Sequence, residues 1–242
     1  MTVPDARRRP PRALAVKAVL FDLDGTLADS AGDLAGAINR IRRERGLAPV
    51  TVASMRPYAS AGARGLLGAG MGVAPDDAEY PALREQFLAY YEAGLAETTA
   101  LFDGIATLLD TLAARRLPFG IVTNKAARYT RPVVAALGLD ARAGAVVSGD
   151  TTAHPKPHPA PLLHAAELLG VAASDCVYVG DDLRDVIAGN AAGMPTIAAE
   201  YGYLGEAGCA DDWPATGWIA KPLELLDWLP GAPPASGRGD DT

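Results

Sequence analysis

Apolar and polar positions change rhythm along this chain, and the changes divide it. Residues 13–21 form a short aliphatic and β-branched run broken only by Lys17, the pattern of a buried parallel strand. From Ser30 to about Thr98 the apolar spacing becomes helical, with Leu34, Ile38 and Ile41 in one stretch and Leu83, Phe87, Tyr90 or Tyr91, and Leu95 in another. Gly46 suits the end of the first of these helices, and the small residues of 59–67 suit a flexible loop running into a short helix. Beyond Phe102 the two rhythms alternate, predicting helices over 104–116, 126–137, 159–169 and 182–192 and strands over 118–122, 145–147, 176–179 and 195–198. Such alternation implies right-handed crossovers and a doubly wound, parallel-sheet α/β core. The helical stretch exceeds one crossover helix, so residues 30–98 are expected to form a small helical cap domain on a core built from 13–29 and 99–229.

Composition narrows the partners. At 242 residues, 49% of them apolar, the chain can bury a sizeable core and carry a second small domain. Its net charge is −7 and no basic tract follows the first dozen residues. Nucleic acid is therefore not an expected partner, and an anionic substrate must be met by local cations. Cys176 and Cys209 belong to no Cys-x-x-Cys pair or zinc spacing, which favours a reducing cytoplasm. The basic segment 1–12 and the Pro, Gly and Ser-rich segment 230–242 are expected to be disordered tails. The apolar run after the basic opening lacks the features of a secretory signal, and no stretch is long enough for a bilayer, so no membrane partner is expected.

Candidate chemistry begins where the first strand ends, at Asp22-Leu23-Asp24-Gly25-Thr26. Extended backbone makes Asp22 and Asp24 project from one side, and Gly25 lets the chain turn away. Two carboxylates so close suit a hard divalent cation such as Mg²⁺; alternatively they cap loop amides, as Asp does commonly. Sites in such sheets open at the carboxyl ends of strands. That rule points to Thr123-Asn124-Lys125, to Lys156 between its prolines, and to Gly180-Asp181-Asp182-Leu183-Arg184-Asp185. Taken singly, these also read as a helix N-cap, a solvated lysine and acids favoured by a helix dipole.

In this order and at these strand ends, Asp22-x-Asp24-Gly25-Thr26, Thr123-Asn124, Lys156 and Gly180-Asp181-x-x-x-Asp185 together resemble the haloacid dehalogenase superfamily, over about residues 13–229. The resemblance implies a Rossmann-like core and phosphoryl transfer through Asp22 as nucleophile, with Asp24 as general acid and base. It implies Mg²⁺ held by Asp22, the backbone carbonyl of Asp24 and Asp181, supported by Asp182 or Asp185. Lys156, Thr123, Asn124, Lys125 and Gly25 would attend the phosphoryl group and substrate.

Within the superfamily, Asp24 argues for phosphoryl chemistry over dehalogenation, and the lack of any lysine between Lys17 and Lys125 excludes a Schiff base on the cap. Phosphosugar mutases rank lower. Receiver domains of phosphorelays, a non-enzymatic alternative, need neither Asp24 nor a cap. The insert, Val122-Thr123-Asn124-Lys125 and Tyr201-Gly202-Tyr203 look like the phosphoglycolate phosphatase group. The Gly180 to Asp185 segment and Ala61-Gly62-Ala63-Arg64 also resemble N-acetylmuramic acid 6-phosphate phosphatases. Both resemblances imply a small, carboxylated phosphometabolite, with Arg64 as the cap cation for its carboxylate. A monomer or homodimer is expected.

Overall fold

The computed structural model describes residues 13–205 and 213–231. The tail expected over 1–12, the part of the second tail beyond Gly231, and Cys209 lie outside the described residues. The chain opens with β1 (Ala18–Phe21), the two-residue β2 (Ala28–Asp29), helices α1 (Ala31–Glu44), α2 (Val52–Met55), α3 (Gly62–Met71) and α4 (Tyr80–Ala93), and the two-residue β3 (Ala100–Leu101). It continues through α5 (Ile105–Ala114), β4 (Phe119–Val122), α6 (Ala127–Ala136), β5 (Ala145–Val147) and α7 (Ala160–Leu168). Next come β6 (Cys176–Gly180), α8 (Leu183–Ala191), β7 (Thr196–Ala199), β8 (Gly217–Ile219) and α9 (Leu225–Trp228).

Six strands make one parallel sheet in the order β5-β4-β1-β6-β7-β8, so the first strand lies between β4 and β6 near the centre. Alternation along the strands divides the core. Val19, Phe21, Ile121 and Val179 pack on the face covered by α5, α6 and α9. Ala18, Leu20, Val122 and Tyr178 pack on the face covered by α7 and α8. Apolar side chains on both faces explain why these strands read as continuous apolar runs.

The helices α1 to α4 have a core of their own, built from Leu34, Ile38, Leu66, Leu67, Leu83 and Phe87. The chain enters and leaves this insert through β2 and β3, which pair antiparallel with Ala28 opposite Leu101. Just beyond the pair, Asp33 accepts hydrogen bonds from the Thr98 amide (2.7 Å) and from the Thr98 and Thr99 hydroxyls (both 2.5 Å).

Three expectations are corrected. The first strand spans only four residues, because 13–17 runs beside the sheet with Lys17 donating its amide to Asp175 O and pairing with the Asp175 carboxylate, both at 2.7 Å. Residues 59–67 are not a flexible loop; a 3₁₀ turn over Arg56–Ala61 leads directly into the ten-residue α3. The sheet also gains β8, backed by α9, both too short to give a periodic signal.

Gly217 joins these last two elements. A Cβ there would lie 2.0 Å from Cη2 of the buried, rigid Trp228 indole. Gly217→Ala is expected to destabilise the fold by roughly 1–3 kcal/mol through overpacking, read as a lower urea midpoint; an unchanged midpoint would contradict the packing described.

Candidate active site

The sheet's parallel ladder continues one residue past β1, where the Asp22 amide donates to Val179 O at 2.9 Å. The chain then folds tightly back, with Gly25 N donating to Ala28 O at 2.9 Å. Gly25 adopts φ +89, and a Cβ there would lie 2.2 Å from Asp181 Oδ2. Only glycine suits both constraints. Asp22 and Asp24 thus leave the central strand at the sheet's carboxyl edge, beside Thr123 after β4 and Asp181 after β6.

Lys156 is the cation at this edge. Its ammonium lies 2.9 Å from Asp22 Oδ1 and 2.7 Å from Asp185 Oδ1, and donates to Val122 O at 2.9 Å and to the Tyr178 hydroxyl at 2.8 Å. Burial works against its charge, yet the carboxylates of Asp185 and Asp22 outweigh burial and raise its pKa. Asn124, expected to attend the phosphoryl group, lines the cavity and clamps the lysine's backbone. Its Nδ2 donates to Lys156 O at 2.8 Å, and Lys156 N donates to its Oδ1 at 2.9 Å.

Carboxylate oxygens of Asp22, Asp181 and Asp185 lie within 4.8 Å of one another. Asp181 is fully buried and receives the Thr26 hydroxyl at 2.9 Å and the Tyr203 amide at 2.8 Å. Burial first, then the neighbouring carboxylates, pushes the Asp181 pKa well up. Burial likewise drives Asp22 up to about 7, with Lys156 opposing and Asp185 reinforcing the shift. Three carboxyl groups around one ammonium form a donor set of oxygen alone that fits a hard divalent cation. Asp182 stands apart from this cluster. It caps α8 and pairs with Arg184 at 2.8 Å, and those hydrogen bonds outweigh burial and lower its pKa.

Asp24 is held separately. Its Oδ1 lies 3.0 Å from Lys125 Nζ and 2.5 Å from the Ser30 hydroxyl, and Lys125 also donates to the Tyr91 hydroxyl at 2.6 Å. Thr123 is buried, and its hydroxyl accepts the Lys125 amide at 3.1 Å. Both hydrogen bonds to Asp22, from Leu23 N and Lys156, fall on Oδ1. Its Oδ2 therefore has no protein donor among the described residues, the state expected of a nucleophilic oxygen.

Above these residues lies a cavity of about 340 Å³ between the sheet edge and the insert. Asp22, Asp24, Thr123, Asn124, Lys125 and Lys156 all line it. Arg64 does not: it is exposed on α3, while the neighbouring Gly65, Leu66 and Leu67 are buried. Arg84 and Arg184 line the cavity instead. Arg84 was missed from sequence; its spacing from Phe87, Leu88 and Tyr91, which places the four on one helix face, is the signal that would have found it. Ser30, whose hydroxyl meets Asp24, carried no signal beyond its place at a helix start.

The family profile for haloacid dehalogenase-like hydrolases matches residues 19–199. The chain is 45% identical over 222 residues to a phosphoglycolate phosphatase of Xanthomonas campestris, covering 90% of this chain and 97% of that protein. It is 38% identical over 218 residues to an N-acetylmuramic acid 6-phosphate phosphatase of Pseudomonas aeruginosa, covering 90% and 96%. A solved HAD-superfamily hydrolase of subfamily IA from Geobacter sulfurreducens superposes with a TM-score of 0.71 at 25% identity, covering 91% and 99%.

Lys156→Met is expected to cost roughly 3–5 kcal/mol of stability, because it leaves the buried Asp185 without its counter-charge. Chemical unfolding reads this directly, and a loss below about 1 kcal/mol would show that the ammonium is not what permits the burial.

Proposed function

The chain belongs to the haloacid dehalogenase-like hydrolases and is a phosphatase, and we propose that it hydrolyses 2-phosphoglycolate to glycolate and phosphate in a Mg²⁺-dependent reaction. One observation carries the chemistry: Asp22 is anchored through Oδ1 while Oδ2 lacks a protein donor, within reach of the cavity. In this reading Asp22 Oδ2 attacks phosphorus, the bond to the leaving alkoxide breaks, and the phosphoryl group rests on Asp22. Asp24 gives a proton to the leaving oxygen and later takes one from the water that cleaves the acyl phosphate. Lys125 and Ser30 keep that carboxyl in place. The Lys156 ammonium and the Thr123 hydroxyl offset charge on the phosphoryl oxygens, and Asn124 positions Lys156.

Asp22, Asp181, Asp185 and the backbone carbonyl of Asp24 would hold Mg²⁺, with Asp182 in its helix cap beside them. When bound, the cation would supply charge neutralisation at the phosphoryl oxygens. The helices α1 to α4 serve in this reading as the cap that keeps bulk water from the acyl phosphate.

A second reading, N-acetylmuramic acid 6-phosphate as substrate, is favoured by the apolar wall of Leu34, Phe87 and Leu88, which exceeds what a two-carbon acid needs. Phosphate release from the two substrates, compared as kcat/KM, discriminates the readings. A clear preference for 2-phosphoglycolate supports the first, and the reverse preference overturns it.

Asp22→Asn is expected to abolish turnover of either substrate, and Asp24→Asn to reduce kcat by roughly 10²–10⁴-fold. Activity surviving Asp22→Asn would remove the nucleophile from the scheme. Metal binding carries its own pH signature. With Asp22 raised to about 7 and Asp181 also raised, the ion must displace protons from its ligands as it binds. Calorimetric Mg²⁺ affinity should therefore rise between pH 6 and pH 8, and a flat profile would contradict the ligand set.

A further inference from the structure

The cavity has two walls of different character. On the core wall each cation has an acid: Lys156 has Asp22 and Asp185, Lys125 has Asp24, and Arg184 has Asp182. On the insert wall, Arg84 of α4 lines the cavity with no hydrogen-bond or ion-pair partner among the described residues. Arg84 is exposed, and it shares a helix face with Phe87, Leu88 and Tyr91.

Two hydroxyls on the same cavity are also unmatched. Tyr129 OH and Ser60 Oγ are buried and make no hydrogen bond among the described residues, and Tyr129 as a whole is only 6% exposed. A buried hydroxyl without a partner costs free energy that a bound ligand can recover. Burial raises the Tyr129 pKa, so the phenol stays protonated and can donate. Ser60 is fixed in position, because its carbonyl accepts from Arg184 Nη2 at 2.6 Å. Since Asp22 and Lys156 take the phosphoryl end, these unmatched groups face the remainder of the substrate.

We propose that Arg84, Tyr129 and Ser60 form the leaving-group subsite, binding the carboxylate of the phosphomonoester through the guanidinium and two hydroxyls. The assignment rests on the phosphatase reading above and deepens it. It replaces Arg64, which lies outside the cavity. A carboxylate paired with a guanidinium and hydroxyl donors is a strong, oriented contact, and a neutral alcohol cannot replace it.

The test compares kcat and KM for 2-phosphoglycolate, N-acetylmuramic acid 6-phosphate and ethyl phosphate, which shares the phosphoryl end but lacks a carboxylate. Wild type, Arg84→Gln, Arg84→Lys and Tyr129→Phe are measured, with thermal melts reporting folding. Arg84→Gln is expected to raise KM for the preferred carboxylated substrate by roughly 10–100-fold, and by far less for ethyl phosphate. Arg84→Lys should recover part of that loss, and Tyr129→Phe should give a smaller loss in the same direction. The same pattern on N-acetylmuramic acid 6-phosphate alone supports the subsite and assigns it to the larger acid. Equal losses on carboxylated and carboxyl-free substrates, or no loss on either, overturn the proposal. Absence of any Asp22-dependent turnover in wild type would instead remove the phosphatase reading, and the subsite with it.

Discussion

Burying the ammonium of Lys156 has a desolvation cost of several kcal/mol, and the carboxylates of Asp22 and Asp185 are what make the burial tolerable. Much of the core's local structure follows from that one contact. The Asn124 amide fixes the lysine's backbone from the next strand end, and Tyr178 on β6 supplies a hydroxyl whose one proton has Val122 O (3.0 Å) and Asp185 Oδ1 (3.1 Å) as alternative acceptors. Gly25 leaves room for Asp181, and at Gly180 a Cβ would meet Asp185 Cγ at 2.4 Å. Parallel pairing of β4, β1 and β6 brings these groups to one edge. The convergence of three carboxyl groups, an oxygen-only donor set, is the physical reason the cluster suits a divalent cation.

A second set of contacts ties this edge to the helical insert. Lys125 bridges Asp24 of the core and Tyr91 of α4, and Arg184 reaches from α8 to the Ser60 carbonyl. Tyr203 donates its amide to Asp181, while its hydroxyl accepts the Ser30 amide at the base of α1. If the insert moves as a cap, opening must break the bonds from Lys125 to Tyr91, from Arg184 to the Ser60 carbonyl and from the Ser30 amide to Tyr203. Within the core, Lys125 and Tyr203 also hold Asp24 and Asp181. Access to the cavity is thereby linked to the geometry of the acids beneath it.

Much of this was legible in the sequence, for identifiable reasons. The central strands are buried on both faces and read as apolar runs, and the acids follow them immediately. What periodicity missed were elements too short to have a period: β2 and β3 with two residues each, β8 with three and α9 with four. In the site, spacing located Asn124 but not its task, because its partner Lys156 is 32 residues away. A local motif points to Arg64, whereas Arg84 emerges only once the folded chain shows which face of α4 lines the cavity. The two partners of Asp24, Ser30 and Lys125, come from separate segments that only the folded chain brings together.

Rapid-quench trapping of the enzyme during turnover, followed by borohydride reduction and peptide mapping, tests the central claim most directly. An acyl phosphate on Asp22 that forms and decays at least as fast as kcat is the expected result. Turnover with no acyl phosphate, or a label on another residue, would contradict the mechanism. A phosphoryl group that persists on Asp22 without turnover would mark a phospho-acceptor switch in place of a phosphatase.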